Sequence, residues 1–246
     1  MMTNDLQQIG DLLLKNRLGK EDWGGDISQK KAANTFLICC LVDYQWRSGV
    51  AWKKGEHLVK LLDAGENVWV KISSFRKETW DSKYEEYGKP SRFRRRYKRL
   101  WDIANDICVR YDGDARKIWL GKTPFEALLH LWWLGAGDQI SRMIVGALRD
   151  CGQIKGDSSD VKADVHLRRV LGRAVDGEEI AAANAAKVTE LTRQLNPADP
   201  WQLDWPLWNV GKNYCRPTEP DCPKCYLRPY CVYYRQHGGA DVVLKT

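Results

Sequence analysis

The sequence predicts an all-α fold, and two kinds of observation point to it. Apolar residues recur every three to four positions along most of the chain, which is the period of a helix with one buried face. Helix-starting and helix-ending signals separate these stretches. The clearest are a capping box with proline at Thr123 and the glycine-containing stop that begins at Gly135. No stretch alternates convincingly enough to require a sheet.

Helices are predicted in order wherever this period is sustained, namely over residues 30–45, 56–62, 96–111, 124–134, 140–148 and 177–195. The last of these is Ala-rich, and Asn196-Pro197 ends it. Residues 67–73 fit either a short strand or a helix. The polar stretch 78–90 predicts an exposed loop.

Length and composition limit the class of protein. The chain has 246 residues, of which 43% are hydrophobic and 29% charged, as in globular proteins with one large or two modest domains. No apolar run reaches the ~18 residues of a membrane span, and the N-terminus lacks the features of a signal peptide. We therefore expect a cytoplasmic protein with no membrane contact. Its formal net charge of +7 suits an acidic partner such as nucleic acid.

A basic run over residues 92–99 contains six basic residues in eight. It has two interpretations, which stay open here. It is either a solvated helix face or a site of contact with phosphates through Arg94, Arg95 and Arg96. The 12 tryptophans are predicted to pack mostly in the core. For Trp46, Trp132 and Trp133, stacking on a base of a bound nucleic acid is the alternative.

Four of the eight cysteines follow a C-x6-C-x2-C-x5-C spacing, namely Cys215, Cys222, Cys225 and Cys231. Four thiolates can hold zinc or an iron–sulfur cluster. Zinc and a disulfide remain alternatives. One close C-x2-C pair with wider gaps on both sides favours a larger cofactor with four separated attachment points, such as a cubane cluster. The other four are predicted as small core residues: Cys39, Cys40, Cys108 and Cys151.

This cysteine spacing resembles, without insertion or deletion, the iron–sulfur loop of the endonuclease III and MutY family of DNA glycosylases. Upstream, residues 131–141 resemble the family's helix-hairpin-helix, with Gly135 and Gly137 at the positions of its two glycines. Residues 162–170 resemble the segment that carries the catalytic aspartate, which places Asp164 in that role. The resemblance covers about residues 30–235.

The resemblance implies two helical domains with a DNA-binding cleft between them. One spans 32–155 and carries the hairpin, and the other combines 1–31 with 156–246 and carries a [4Fe-4S] cluster on the four cysteines. The implied partner is double-stranded DNA with a damaged or mismatched base, bound by a monomer associated with the nucleoid. The implied DNA contacts are Gln45, Gly135, Gly137, Arg94, Arg95, Arg96, Lys212, Arg216, Lys224 and Arg228.

One departure from the family pattern bears on the reaction. Members that also cleave the strand use a hairpin lysine as a nucleophile, and Gln139 occupies that position here. An amide cannot attack the sugar, so we expect base excision without strand cleavage. The alternatives are a glycosylase and lyase that uses Lys122 or Lys162, and a non-catalytic protein that binds DNA lesions.

A second departure is Asp138, which directly follows the second hairpin glycine. We expect it to cap the following helix and to repel a close phosphate. The base remains open among thymine or uracil in mismatches, oxidised pyrimidines, alkylated purines and deaminated purines.

Overall fold

The structure is a computed structural model that describes residues 3–17, 23, 25–43, 48–83, 86, 91–156 and 159–237. Within these ranges every regular element is an α-helix or a short 3-10 turn, so the all-α prediction is confirmed. No helix in the same ranges is long and apolar enough to cross a membrane.

The described helices follow one another with short connections. In chain order they are α1 (Thr3–Lys15), α2 (Lys30–Val42), α3 (Ser48–Leu62), α4 (Val68–Ser73), α5 (Lys77–Ser82), α6 (Ser91–Tyr111), α7 (Pro124–Trp133), α8 (Asp138–Asp150), α9 (Val165–Val175), α10 (Ala185–Leu195), α11 (Asp204–Asn213) and α12 (Val232–His237).

The chain divides into two compact units. The hairpin unit is Asp22–Gly156, and the cysteine unit combines Met1–Glu21 with Asp157–Thr246. Each is named after the motif it contains. The sequence predicts two domains, one over 32–155 and one that combines 1–31 with 156–246. That these segments fold as two domains stays a prediction.

Helix α2 forms the centre of the hairpin unit, where nine of its 13 residues are buried. The fully buried Asn34 joins three segments of this unit. Its Nδ2 donates to the carbonyls of Glu66 (2.8 Å) and Gly113 (3.1 Å), and its Oδ1 accepts from the amide of Ala115 (2.8 Å). A satisfied buried amide of this kind holds loops that apolar packing alone would leave free.

Residues 67–73, which fitted a strand or a helix, form helix α4. Val68, Trp69 and Ile72 are buried on one side of it. Their spacing is that of a helical face, and packing of α4 against α6 covers it.

The loop predicted over 78–90 is wrong at its beginning, because residues 77–82 form helix α5. Trp80 is fully buried and stacks on Tyr97 of α6, with ring centroids 4.2 Å apart. Its indole Nε1 also donates to the Tyr97 carbonyl at 2.9 Å. One aromatic side chain with a distant partner thus orders a short helix in a polar segment. Of the later part of the predicted loop, residues 84, 85 and 87–90 lie outside the described residues.

The helix predicted over 177–195 is also too long, since α10 begins only at Ala185. Gly177 has φ +86°, which ends the preceding helical path. The chain then lies against α9, where Ile180 N donates to the Arg168 carbonyl at 3.2 Å. Gly172 permits this approach, because a Cβ there would overlap the backbone of residues 178–180.

Two tryptophans and two cysteines differ from the predicted core packing. Trp132 is 40% exposed and Trp133 is 67% exposed, because both lie on the solvent side of the last turn of α7. Cys108 and Cys151 are half-buried. Core packing holds for the remaining pair, Cys39 and Cys40, which are fully buried in α2. Trp46 lies outside the described residues.

Candidate functional site

A tight turn between α7 and α8 forms the predicted hairpin. Gly135 N donates to the Trp132 carbonyl at 2.8 Å and Ala136 N to the Leu131 carbonyl at 3.0 Å, which closes the end of α7. Gly135 (φ +76°) and Gly137 (φ +83°) both adopt a left-handed backbone that side chains disfavour. Gly137 occupies the N-cap of α8 without a side-chain cap. Uncapped amides at a helix N-terminus are donors suited to an anion.

Asp138 does not cap α8 as expected. Instead its carboxylate accepts from Arg142 Nε at 2.9 and 3.0 Å, one helical turn further on. Gln139 Nε2 donates to the same carboxylate at 2.8 Å. The Arg142 guanidinium partly offsets the negative charge that would oppose a phosphate at this turn.

Asp164 occupies the N-cap of α9. Its Oδ1 accepts from the amides of His166 (2.7 Å) and Leu167 (3.1 Å), which fixes the carboxylate at the start of the helix. Within the described part of the chain, Oδ2 takes part in no hydrogen bond. The group is half-buried, so one oxygen is held and the other is available.

Arg169 connects the Asp164 helix to the first cysteine of the loop, a role that the sequence analysis did not assign. The side chain is 1% exposed. Its Nε donates to the Cys215 carbonyl at 2.6 Å, and its Nη2 donates to the Gly211 carbonyl at 2.9 Å. The Nη2 group also lies 3.1 Å from His166 Nδ1. Helix α9 was not among the predicted helices, so no helical face was assigned there. The available sequence signal was a basic residue among the apolar residues of 165–175.

Arg173, one turn beyond Arg169, holds the next part of the cysteine loop. Its Nη1 donates to the Arg216 carbonyl at 2.7 Å, and its Nη2 donates to the Pro217 carbonyl at 3.0 Å. Nη1 also lies 3.7 Å from Cys215 Sγ. Two arginines of α9 therefore orient the backbone around the first thiol.

The four predicted ligand cysteines are free thiols within one loop of 17 residues. Burial is the main cause that raises the pKa of Cys225 to about 12, and the charges of Cys231, Cys215 and Cys222 raise it further. Cysteine thiolates are the donors that iron–sulfur clusters use, and Arg173 lies beside the first of the four.

Among the described residues, no three His, Cys, Asp or Glu side chains are arranged to hold one metal ion. Both metals considered for these cysteines, zinc and an iron–sulfur cluster, therefore stay candidates.

The predicted DNA-contacting cations of the cysteine unit lie at the surface. Lys212 is exposed, and its Nζ lies 4.4 Å above the Trp208 ring, which stacks on Trp205. Lys224 is exposed and pairs with Asp221 at 3.0 Å. Two further arginines of the loop are exposed, namely Arg216 and Arg228.

In the hairpin unit, Arg94 and Arg95 are exposed on α6, and Arg96 is half-buried. Gln45, one of the implied DNA contacts, lies outside the described residues. The structure thus brings Gly135 and Gly137 together in one turn and the four cysteines together in one loop. Each of these groups lies within one unit.

No protein-family profile matches the chain. Among curated proteins it is similar to the endonuclease III of Thermotoga maritima, with 26% identity over 155 residues, 63% of this chain and 64% of that protein. It is 24% identical to the endonuclease III of Sulfolobus acidocaldarius over 138 residues, 56% of this chain and 54% of that protein. The chain therefore matches about two thirds or less of the length of these relatives.

Solved structures share the fold over nearly the whole chain. A non-covalent endonuclease III–DNA complex aligns with a TM-score of 0.64 and 14% identity, covering 96% of this chain and 98% of that one. A thermostable thymine-DNA glycosylase aligns with a TM-score of 0.63 and 15% identity, covering 95% and 98%.

Proposed function

We propose that this chain hydrolyses the N-glycosidic bond of a damaged or mismatched base in double-stranded DNA. Its sequence similarity to two endonuclease III proteins and the fold it shares with a solved endonuclease III–DNA complex support this proposal. The observation that carries the proposal is the Asp164 carboxylate. The start of α9 holds one oxygen through two amides and leaves the other oxygen without a hydrogen-bond partner in the described residues.

Asp164 acts on the charge that develops as the bond to the base breaks. The sugar becomes cationic in the transition state, and a carboxylate fixed in advance stabilises that cation without reorganising. The free Oδ2 faces the sugar or orients the attacking water. The base leaves with the bonding electron pair, water adds to the sugar carbon, and the products are the free base and an abasic site.

A base within a duplex is out of reach of any carboxylate, so the nucleotide leaves the stack before the reaction. Extrusion costs a few kcal/mol, and less for a damaged or mismatched base. The hairpin amides and the exposed cations Arg94, Arg95, Lys212 and Arg216 hold the backbone while this happens, with the protein acting as a monomer.

Because position 139 is a glutamine, the enzyme excises the base and leaves the DNA strand intact. A carboxamide has no basic nitrogen with which to form a Schiff base. Gln139 Nε2 is moreover engaged by Asp138 at 2.8 Å. Lys122 and Lys162 are the amines that a lyase reaction would need to recruit instead.

The four cysteines hold a [4Fe-4S] cluster in this proposal. When bound, the cluster supplies a rigid anionic centre that orders its loop. The chain's own residues do the remaining work: Arg169 and Arg173 bind the loop carbonyls, and Arg216, Lys224 and Arg228 present positive charge around it.

The test is single-turnover base release from duplexes that carry a panel of damaged and mismatched bases, each treated with and without alkali. We expect strand breaks only after alkali. Asp164→Asn is the decisive variant, because asparagine also caps helices well and preserves the fold. It should reduce the rate by at least about 100-fold while DNA affinity is retained. Loss of binding together with activity, or wild-type binding without any base release, would contradict the proposal.

A further inference from the structure

Arg99 of helix α6 lies against Gly135 of the hairpin, although the two residues are 36 positions apart in the sequence. A Cβ built on Gly135 would overlap its guanidinium, with Cζ 2.9 Å and Nε 3.1 Å away. The three nearest atoms to that position all belong to Arg99. The positive φ of +76° favours glycine at 135, and the absence of a side chain there leaves the room that the Arg99 guanidinium occupies.

The Arg99 guanidinium is free to bind an anion. In the described residues it makes no hydrogen bond or ion pair, and the side chain is exposed. Two other cations of α6 are paired: Lys98 pairs with Asp81 at 3.1 Å, and Arg110 lies 3.6 Å from Asp106. Because this guanidinium already lies beside the hairpin backbone, it needs no large displacement to reach a phosphate bound there.

We propose that Arg99 binds the same DNA phosphate as the hairpin amides, and this inference rests on the proposed function. Gly135 and Gly137 are two residues apart, which limits their separation to about 7 Å. A guanidinium beside the first glycine is therefore within reach of a phosphate bound at the second. Arginine suits this task because its planar fork matches two phosphate oxygens.

Arg99 also explains how the hairpin can contain an aspartate and still bind a phosphate. Asp138 brings a carboxylate to the helix N-terminus where a phosphate would bind, and Arg142 offsets one charge by pairing with it. Arg99 adds an unpaired positive charge at the same turn. The turn as a whole then attracts a phosphate rather than repelling it.

The experiment compares Arg99→Gln and Arg99→Lys in the full-length, cluster-containing protein. Both keep a long side chain against Gly135, but only lysine keeps the charge. The matched control is Arg110→Gln, which removes one exposed charge from the same helix. Fluorescence anisotropy measures binding to a duplex with a tetrahydrofuran abasic-site analogue over a series of salt concentrations.

We expect Arg99→Gln to weaken binding about tenfold near 0.1 M salt, as the loss of a charged hydrogen bond does. The slope of log K against log salt should fall in magnitude by about 0.9, the value for one phosphate contact. Arg99→Lys should retain the slope, and Arg110→Gln should match the wild type. An unchanged slope for Arg99→Gln, or an equal fall for Arg110→Gln, overturns the inference.

Base release by the same variants separates this inference from the proposed function. The single-turnover rate of Arg99→Gln at saturating protein measures base release from the bound complex, separately from the affinity that Arg99 is proposed to supply. If the wild type releases no base and Arg99→Gln still lowers the salt slope, the phosphate contact stands and the glycosylase proposal fails. If the wild type releases bases and the slope is unchanged, the glycosylase stands and Arg99 has only a packing role.

Discussion

In the side-chain amide of Gln139, the nitrogen is hydrogen-bonded, and the oxygen has no hydrogen-bond partner among the described residues. Its Nε2 donates to Asp138, while its Oε1 is buried and accepts no hydrogen bond from the described residues. An unpaired buried acceptor costs about 1–3 kcal/mol, so we expect a bound water or a donor of the substrate to pair with it.

Replacing this amide by an amine tests what position 139 controls. We expect Gln139→Lys to gain strand cleavage without alkali and to form a covalent DNA complex that borohydride traps, because an amine can attack the sugar carbon. The measurement is gel analysis of borohydride-treated reactions on the substrate found in the base-release panel.

The controls for this gain of strand cleavage are two variants in the wild-type background, Lys122→Ala and Lys162→Ala. Neither should change the outcome if the wild type forms no covalent complex. A wild-type protein that is itself trapped, and loses trapping in one of these variants, would show that another lysine supplies the amine and that Gln139 does not decide the reaction.

At the scale of elements, helix α9 links the proposed catalytic group to the cysteine loop. Asp164 caps its first turn, while Arg169 and Arg173 on later turns bind carbonyls of the loop. Movement of the loop would therefore be transmitted to the start of the same helix. This arrangement explains how a loop without reacting groups can contribute to the geometry of Asp164.

Arg169→Met should destabilise the cluster-containing protein by about 2–4 kcal/mol. The change keeps an apolar stem of similar length but leaves the carbonyls of Cys215 and Gly211 without donors in a buried site. Urea unfolding followed by circular dichroism measures the free energy of unfolding. Arg168→Met is the control on the same helix, since it loses one carbonyl contact, to Ile180, and should cost about 1 kcal/mol. Equal losses in the two variants would contradict the special role of Arg169.

Local signals predicted those elements that depend on neighbouring residues. The capping box at the start of α7 forms as expected, with Thr123 N donating to Glu126 Oε2 at 2.8 Å and Glu126 N donating to Thr123 Oγ1 at 3.2 Å. Helix α5 was missed because the burial of Trp80 depends on Tyr97, 17 residues later. Arg99 was visible only as one charge in a basic run, since its position against Gly135 is a tertiary contact.

For the whole molecule, the cofactor changes the charge available for DNA. The chain has a formal net charge of +7. Four thiolates around a [4Fe-4S] core of about +2 contribute about −2, so the loaded protein keeps a positive charge of about +5. The remaining positive charge is sufficient for attraction to a phosphate backbone, which depends on the local cations as well as on the total.

Metal analysis of the purified protein decides what the four cysteines hold. We expect about four iron and four sulfide ions per chain, with a broad absorbance in the visible range. Cys222→Ser should lose most of this iron, because one corner of the cluster loses its thiolate. Cys40→Ser is the matched control, since this thiol is fully buried in α2 of the other unit and should leave the iron content unchanged. One zinc ion per chain, or a disulfide that disappears on reduction, would instead support the alternatives that the cysteine spacing left open. Iron retained in Cys222→Ser but lost in Cys40→Ser would place the cluster on different ligands.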